Sequence, residues 1–113
     1  MKKIPHLMFL GILVFLAKQT IAADTAEIYQ QNCMKCHGAD GKGQTTIGRK
    51  FKVEDFTNPS WQSEHPASKI KAAIENGVKD PAGKELMKAY KNELTPQEIE
   101  ELVQYLQKFG DSK

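Results

Sequence analysis

The sequence predicts a small helical domain with an irregular middle and no sheet, and three observations carry that prediction. The first is the stretch Thr95-Pro96-Gln97-Glu98. It joins an N-cap threonine, a proline at the first helical position and a glutamate three residues after the cap. Behind it Ile99, Leu102, Val103, Leu106 and Phe109 recur at the spacing of one helix face. The second is the absence of any stretch that alternates apolar and polar residues as a half-buried strand would. The third is the segment of roughly thirty residues after His37, which shows little regular pattern. A loop of that length sits poorly in a compact domain unless something other than side chains supplies part of the core.

In chain order, residues 1–22 read as an export leader. Lys2 and Lys3 are its positive start, Leu7 to Ala17 its apolar run, and Thr20-Ile21-Ala22 a small-x-small cleavage site. The apolar run of 11 residues is short of the roughly 20 needed to span a bilayer, so no integral membrane anchor is expected. A leader left uncleaved, tethering the chain to the membrane, is the alternative. Cleavage after Ala22 would leave one domain, residues 23–113, in the periplasm. Lys2, Lys3 and Lys18 leave with the leader, which turns the formal charge of +2 into −1. With no basic stripe carrying interleaved aromatics, nucleic acid is not an expected partner.

The first mature helix is expected to start at Asp24, with Glu27 completing a capping box. Ile28 and Tyr29 give it an apolar side, and it runs on into Cys33-Met34-Lys35-Cys36-His37. That C-x-x-C-H pattern is the covalent attachment motif of c-type haem. On one helical turn both sulfurs point the same way, within reach of the two vinyl groups of one haem. His37 then offers an imidazole nitrogen to the iron as proximal ligand. An export leader agrees, because c-type haem is attached outside the bacterial cytoplasm. Two other readings compete. A redox dithiol should follow a strand in a βαβ unit, and nothing before Cys33 reads as one. A structural zinc site wants four Cys/His ligands, and beyond the motif only His65 remains after the leader.

Residues 38–48 hold four of the eight glycines and read as loop. Asn58-Pro59 opens a short helical turn through Trp61. Ser68 is expected to cap a helix with Ile70, Ala73 and Ile74 on one face, and Gly77 to stop it. Asp80-Pro81-Ala82-Gly83 is a turn, and residues 84–92 read as loop or ragged helical turn holding Met87. The closing helix keeps Glu98, Glu100 and Glu101 in solvent near its N-terminus and ends at Gly110.

An iron held by His37 needs a group on its other face. Met1 and Met8 leave with the leader, and Met34 lies between the two cysteines. Met87 and His65 remain as candidates. Ligand chemistry favours Met87, since thioether ligation raises the reduction potential relative to a second histidine.

With these residues in view, the chain resembles the small monohaem class I cytochromes c of the bacterial periplasm. The resemblance covers essentially the whole mature chain. It rests on the helix entering Cys33-Met34-Lys35-Cys36-His37, the Gly38-Ala39-Asp40-Gly41 loop, the Asp55-Phe56-Thr57-Asn58-Pro59 stretch, Met87, and the closing helix with Tyr105. It implies an all-α fold in which the N- and C-terminal helices cross beside the haem, with Ile28 and Tyr29 on Leu102 and Tyr105. Two departures stand out: Lys88 follows Met87 where the family often has proline, and the loop after His37 lacks a proline that would buttress the histidine. His37 still needs an acceptor for its second nitrogen.

Arg49 and Trp61 are candidate propionate donors; the plainer readings are a surface arginine and a core tryptophan. Phe51, Phe56, Ile70, Ile74 and Tyr90 are expected to line the ring. The functional expectation is a monomeric electron carrier with one covalent haem c, using His37 and Met87 as iron ligands and meeting redox partner proteins transiently. No paired carboxylates or activated nucleophile suggest an enzyme. An open-site haem protein with Met87 unligated, binding a gas or acting as a weak peroxidase, is the alternative. Lys35, Lys42, Lys84, Lys88 and Lys91 either ring the exposed haem edge or form an ordinary solvated surface.

Overall fold

A computed structural model describes residues 2, 3, 5, 11–14 and 21–112, with the backbone alone at 21–23. Most of the expected leader therefore lies outside the described residues. The elements in order are α1 (Ile21–Asn32), α2 (Met34–His37), α3 (Thr46–Phe51), α4 (Pro59–Glu64), α5 (Ala67–Asn76), β1 (Val78–Lys79), β2 (Glu85–Met87) and α6 (Pro96–Lys108). A 3-10 turn, Phe109–Asp111, closes the chain. Among the described residues no helix is long and apolar enough to cross a membrane.

α1 and α6 make the frame. α6 starts as its sequence predicts: the Thr95 hydroxyl accepts from the Glu98 N–H at 3.1 Å, and the Glu98 carboxylate accepts from the Thr95 N–H at 2.9 Å. Ile99, Leu102, Val103 and Leu106 are buried along its inner face. α1 crosses α6, with the Tyr29 and Tyr105 rings 5.0 Å apart and Phe109 5.5 Å from each of them. The expected pairing of Tyr29 with the closing helix is thus present. α1 begins at Ile21 rather than Asp24. Ala22 and Ala23 favour helix and carry it back one turn, so Asp24 becomes a first-turn acid, which the helix dipole favours.

The middle of the chain holds more structure than its sequence advertises. Residues 46–51 form α3, where glycines and weak periodicity predict loop. The Thr45 hydroxyl caps it by accepting from the Gly48 N–H at 2.8 Å. α4 begins as expected, with the Asn58 side chain accepting from Ser60 N–H at 2.8 Å, and it runs on to Glu64. α5 starts at Ala67 rather than on a Ser68 cap. The Pro66 carbonyl instead takes the N–H groups of Lys69 and Ile70, at 2.9 and 3.2 Å. Gly77 ends α5 as expected.

The predicted Asp80–Gly83 turn is the tip of a hairpin. The Gly83 N–H donates to the Asp80 carbonyl at 2.9 Å, and the Lys84 N–H donates to the Asp80 carboxylate at 2.8 Å. β1 and β2 pair antiparallel, Val78 with Met87 and Lys79 with Glu85, across a bulge. Met87 thus sits at the end of a short strand, not in a loop or helical turn. Strands of two and three residues are too short to show an alternating pattern. Beyond the strand, the Tyr90 N–H donates to the Ile74 carbonyl at 2.9 Å, hooking the chain back onto α5.

Candidate functional site

α1 breaks at Cys33, and α2 carries Met34 to His37 as a single turn. The Cys33 N–H donates to the Tyr29 carbonyl at 2.8 Å, and the Cys33 carbonyl accepts from His37 N–H at 2.9 Å. Cys33 and Cys36 are not joined by a disulfide. The loop after the motif is bound back onto it: the Gly43 N–H donates to the His37 carbonyl at 2.8 Å and the Thr45 hydroxyl donates to the Cys36 carbonyl at 2.7 Å. α3 comes so close that a Cβ at Gly48 would lie 2.5 Å from the Cys36 carbonyl oxygen and 2.3 Å from that of Gly43. Only glycine permits that approach. Thr45 and Gly48 are site-positioning residues that sequence reading passes over, because a capping threonine inside a glycine-rich stretch looks like more loop.

The elements enclose a cavity of about 550 Å³, within the usual size of cofactor sites. Its walls include Cys33, Cys36, His37, Met87, Trp61 and His65 among the residues singled out from sequence. All five predicted ring neighbours, Phe51, Phe56, Ile70, Ile74 and Tyr90, line it too, with Leu86, Leu94, Leu102 and Leu106. Arg49 does not line it. That side chain is exposed, its guanidinium donating to the Gln44 carbonyl at 3.4 Å.

The electrostatics discriminate among the readings of the motif. Burial, with a lesser contribution from Cys36, pushes the Cys33 thiol up to about 11. A reactive dithiol needs the reverse, a thiolate favoured near neutrality. No group of three or more potential metal-binding side chains of the zinc kind occurs among the described residues. Burial also lowers the His37 pKa, keeping the imidazole neutral as a metal ligand must be. Its ring lies 4.6 Å from Phe56, nearly parallel. Its Nδ1 is buried without a hydrogen-bond partner among the described residues. A neutral, buried imidazole with an uncommitted nitrogen, two thiols beside it and an apolar hollow are the donor set that a covalently attached haem requires.

Two features hold Met87 at the cavity. Gly77, at φ +75°, lies so close to β2 that a Cβ there would be 2.4 Å from the Met87 carbonyl oxygen. The Lys88 ammonium pairs with the Glu93 carboxylate at 3.0 Å. That hydrogen bond is the main reason its pKa is raised, and the pair ties together the two ends of the turn after Met87. His65 is committed elsewhere. Its Nδ1 is 2.8 Å from the Trp61 carbonyl, and its Nε2 is 3.6 Å from the Glu54 carboxylate. Trp61 donates its indole N–H to the same carboxylate.

Comparison with known proteins agrees with this geometry. Residues 21–106 match the family described as cytochrome C oxidase, cbb3-type, subunit III. Cytochrome c6 of Nostoc sp. (strain PCC 7120 / SAG 25.82 / UTEX 2576) is 34% identical over 112 residues, covering 94% of this chain and 92% of that protein. The solved structure of the KustC0563 c-type cytochrome superposes with a TM-score of 0.65 at 30% identity, covering 75% of this chain and 95% of its own. A variant of that protein gives the same TM-score of 0.65, covering 76% of this chain and 98% of its own. The chain belongs to the family described as cytochrome C oxidase, cbb3-type, subunit III, and it is a small monohaem c-type cytochrome, an electron carrier with covalently bound haem c.

Proposed function

We propose that this carrier works in the periplasm, with its haem attached through Cys33 and Cys36 and its iron held between His37 and Met87. The observation that supports this ligand set is the meeting of all four side chains on one largely apolar cavity. When bound, the haem supplies one-electron exchange between Fe(III) and Fe(II). The chain's own residues do the rest. Burial favours neutral His37, the Gly77 contact and the β1–β2 pairing fix the backbone of Met87, and the aliphatic and aromatic wall would shield the bound group from water. Were His37 and Met87 both to hold the iron, no open position would remain for a substrate, so the reading is electron transfer with transient redox partners and not catalysis. Residues 1–22 serve as the leader, and residues 23–113 are the exported domain.

The test is the ferric near-infrared spectrum, where a sulfur-to-iron charge-transfer band marks methionine ligation. The wild-type holoprotein should be low-spin and show it. Met87→Ala should become high-spin and bind carbon monoxide when reduced, and Met87→His should stay low-spin with a lower potential. His65→Ala should change none of this. A wild-type protein that is already high-spin would be an open-site haem protein. A low-spin spectrum lost in His65→Ala would make His65 the ligand.

A further inference from the structure

Met87 is anchored from upstream by the β1–β2 pairing and the Gly77 contact. Downstream, Lys88 stands where a proline would fix φ. Its ion pair with Glu93 is exposed, the two side chains at 50% and 52%, and such a pair contributes little. Three residues after Met87 comes Tyr90, only 6% exposed. Its N–H donates to the Ile74 carbonyl of α5 at 2.9 Å, and its carbonyl accepts the N–H groups of Glu93 and Leu94, each at 2.9 Å. The Lys88 ammonium lies 5.0 Å from the centre of its ring. Its hydroxyl reaches 58 residues back along the chain and donates to the Asn32 carbonyl at 3.1 Å.

Asn32 is the last residue of α1 and directly precedes Cys33, so its carbonyl is one of the helix-end acceptors that the helical ladder leaves over. Asn32, Cys33, Met87 and Tyr90 all line the cavity. The hydroxyl bond therefore spans the site, from the start of the attachment motif to the segment that carries Met87. Phenylalanine would fill the same apolar volume. What tyrosine adds is a hydroxyl, costly to bury unless it is bonded, and its bond goes to the segment that covalent attachment would fix to the haem.

We propose that Tyr90 is a positioning residue for axial ligation: its hydroxyl, held by the Asn32 carbonyl, keeps Met87 on the iron in a chain whose Lys88 supplies no such restraint. The proposal rests on the His37/Met87 reading. For an external ligand to take the distal position, Met87 must move away. Only Lys88 and Ala89 separate it from Tyr90, so that movement is passed to the hydroxyl bond. Coupling is reciprocal: a bond that favours ligated Met87 is itself weakened when Met87 is displaced.

The experiment is a titration of the ferric holoprotein with imidazole, which competes with the thioether for the distal position, followed by the near-infrared methionine band. Tyr90→Phe keeps the ring and removes the hydroxyl. Its band should be present without imidazole and vanish at a concentration about five-fold lower than in the wild type, the factor that one ordinary hydrogen bond represents. Tyr29→Phe removes a bond of the same kind away from the cavity, from the Tyr29 hydroxyl to the Gly38 carbonyl, and should leave the imidazole affinity at its wild-type value. A second measurement needs no variant. Solvent exchange of the Tyr90 hydroxyl proton, followed by NMR in the wild-type holoprotein, should quicken when imidazole displaces Met87. A wild-type imidazole affinity in Tyr90→Phe, an equal rise in Tyr29→Phe, or hydroxyl exchange that imidazole leaves unchanged would overturn this proposal alone. A wild-type protein without the methionine band would overturn the ligand reading, and this proposal with it.

Discussion

α1 and α6 bury one another. Tyr29, Leu102 and Val103 are each 1% exposed, and Tyr29, Val103 and Ile99 lie away from the cavity. Between the two helices the buried apolar residues are Phe56, Ile70, Ile74 and Tyr90, and all four line the cavity. The frame thus has a core of its own, whereas the middle has little apolar surface that does not face the haem site. Stability in the middle should follow the cofactor, and stability in the frame should follow side-chain packing.

The largest test removes the cofactor. Cys33→Ala with Cys36→Ala should abolish haem retention on a denaturing gel. The resulting chain should lack a cooperative thermal transition and show little helix by far-UV circular dichroism, since the α1–α6 core alone, without a packed middle, buries too little surface to hold two helices together. A cooperative transition in that material would mean that the middle packs without haem.

A pair of core truncations sharpens the contrast. In the holoprotein, Ile99→Ala and Ile74→Ala should each cost about 2–5 kcal/mol, as large-to-small core changes do. Only Ile74→Ala, at the cavity wall, should also perturb the haem absorption spectrum. Equal spectral effects would erase the distinction between frame and middle.

Gly77→Ala comes next, since it places a methyl group against the Met87 carbonyl in a backbone conformation that disfavours side chains. The expected loss is on the order of 1–3 kcal/mol, with weakening of the near-infrared methionine band. Loss of stability with the band at full strength would show that Gly77 does not position Met87.

The smallest effect concerns the tie between the regions. The Tyr29 hydroxyl donates to the Gly38 carbonyl at 2.6 Å, joining the frame to the loop after the haem motif. Burial raises its pKa, so the folded protein keeps a proton that the unfolded chain releases above about pH 10. Stability should therefore fall as pH rises past that value. Tyr29→Phe should cost about 1 kcal/mol at neutral pH, leaving Gly38 only the longer bond from the Gly41 N–H at 3.2 Å. It should also flatten the alkaline part of a stability-against-pH curve measured by denaturant titration.

The sequence by itself determined whatever depends on neighbours in the chain. The C-x-x-C-H pattern, the Thr95 capping box, the Asn58 cap, the Gly77 stop and the Asp80–Gly83 turn each need only a few consecutive residues. The stripe from Ile99 to Phe109 was legible for the same reason, and with it the partner face for Tyr29.

What only the tertiary structure decided depends on contacts between distant segments. α3 exists where Thr45 and Gly48 pack against the end of the haem motif. Met87 lies on a strand because Val78 pairs with it. Arg49 and Trp61 looked equally able to donate hydrogen bonds, yet α3 turns one to solvent and α4 sets the other in the cavity wall. His65 looked like a solvated loop histidine, and its meeting with Glu54 across Trp61 is a product of that folding. Caps and periodicity are short-range and survive in any context; closeness across ten or more residues is created by the packing that makes the cavity.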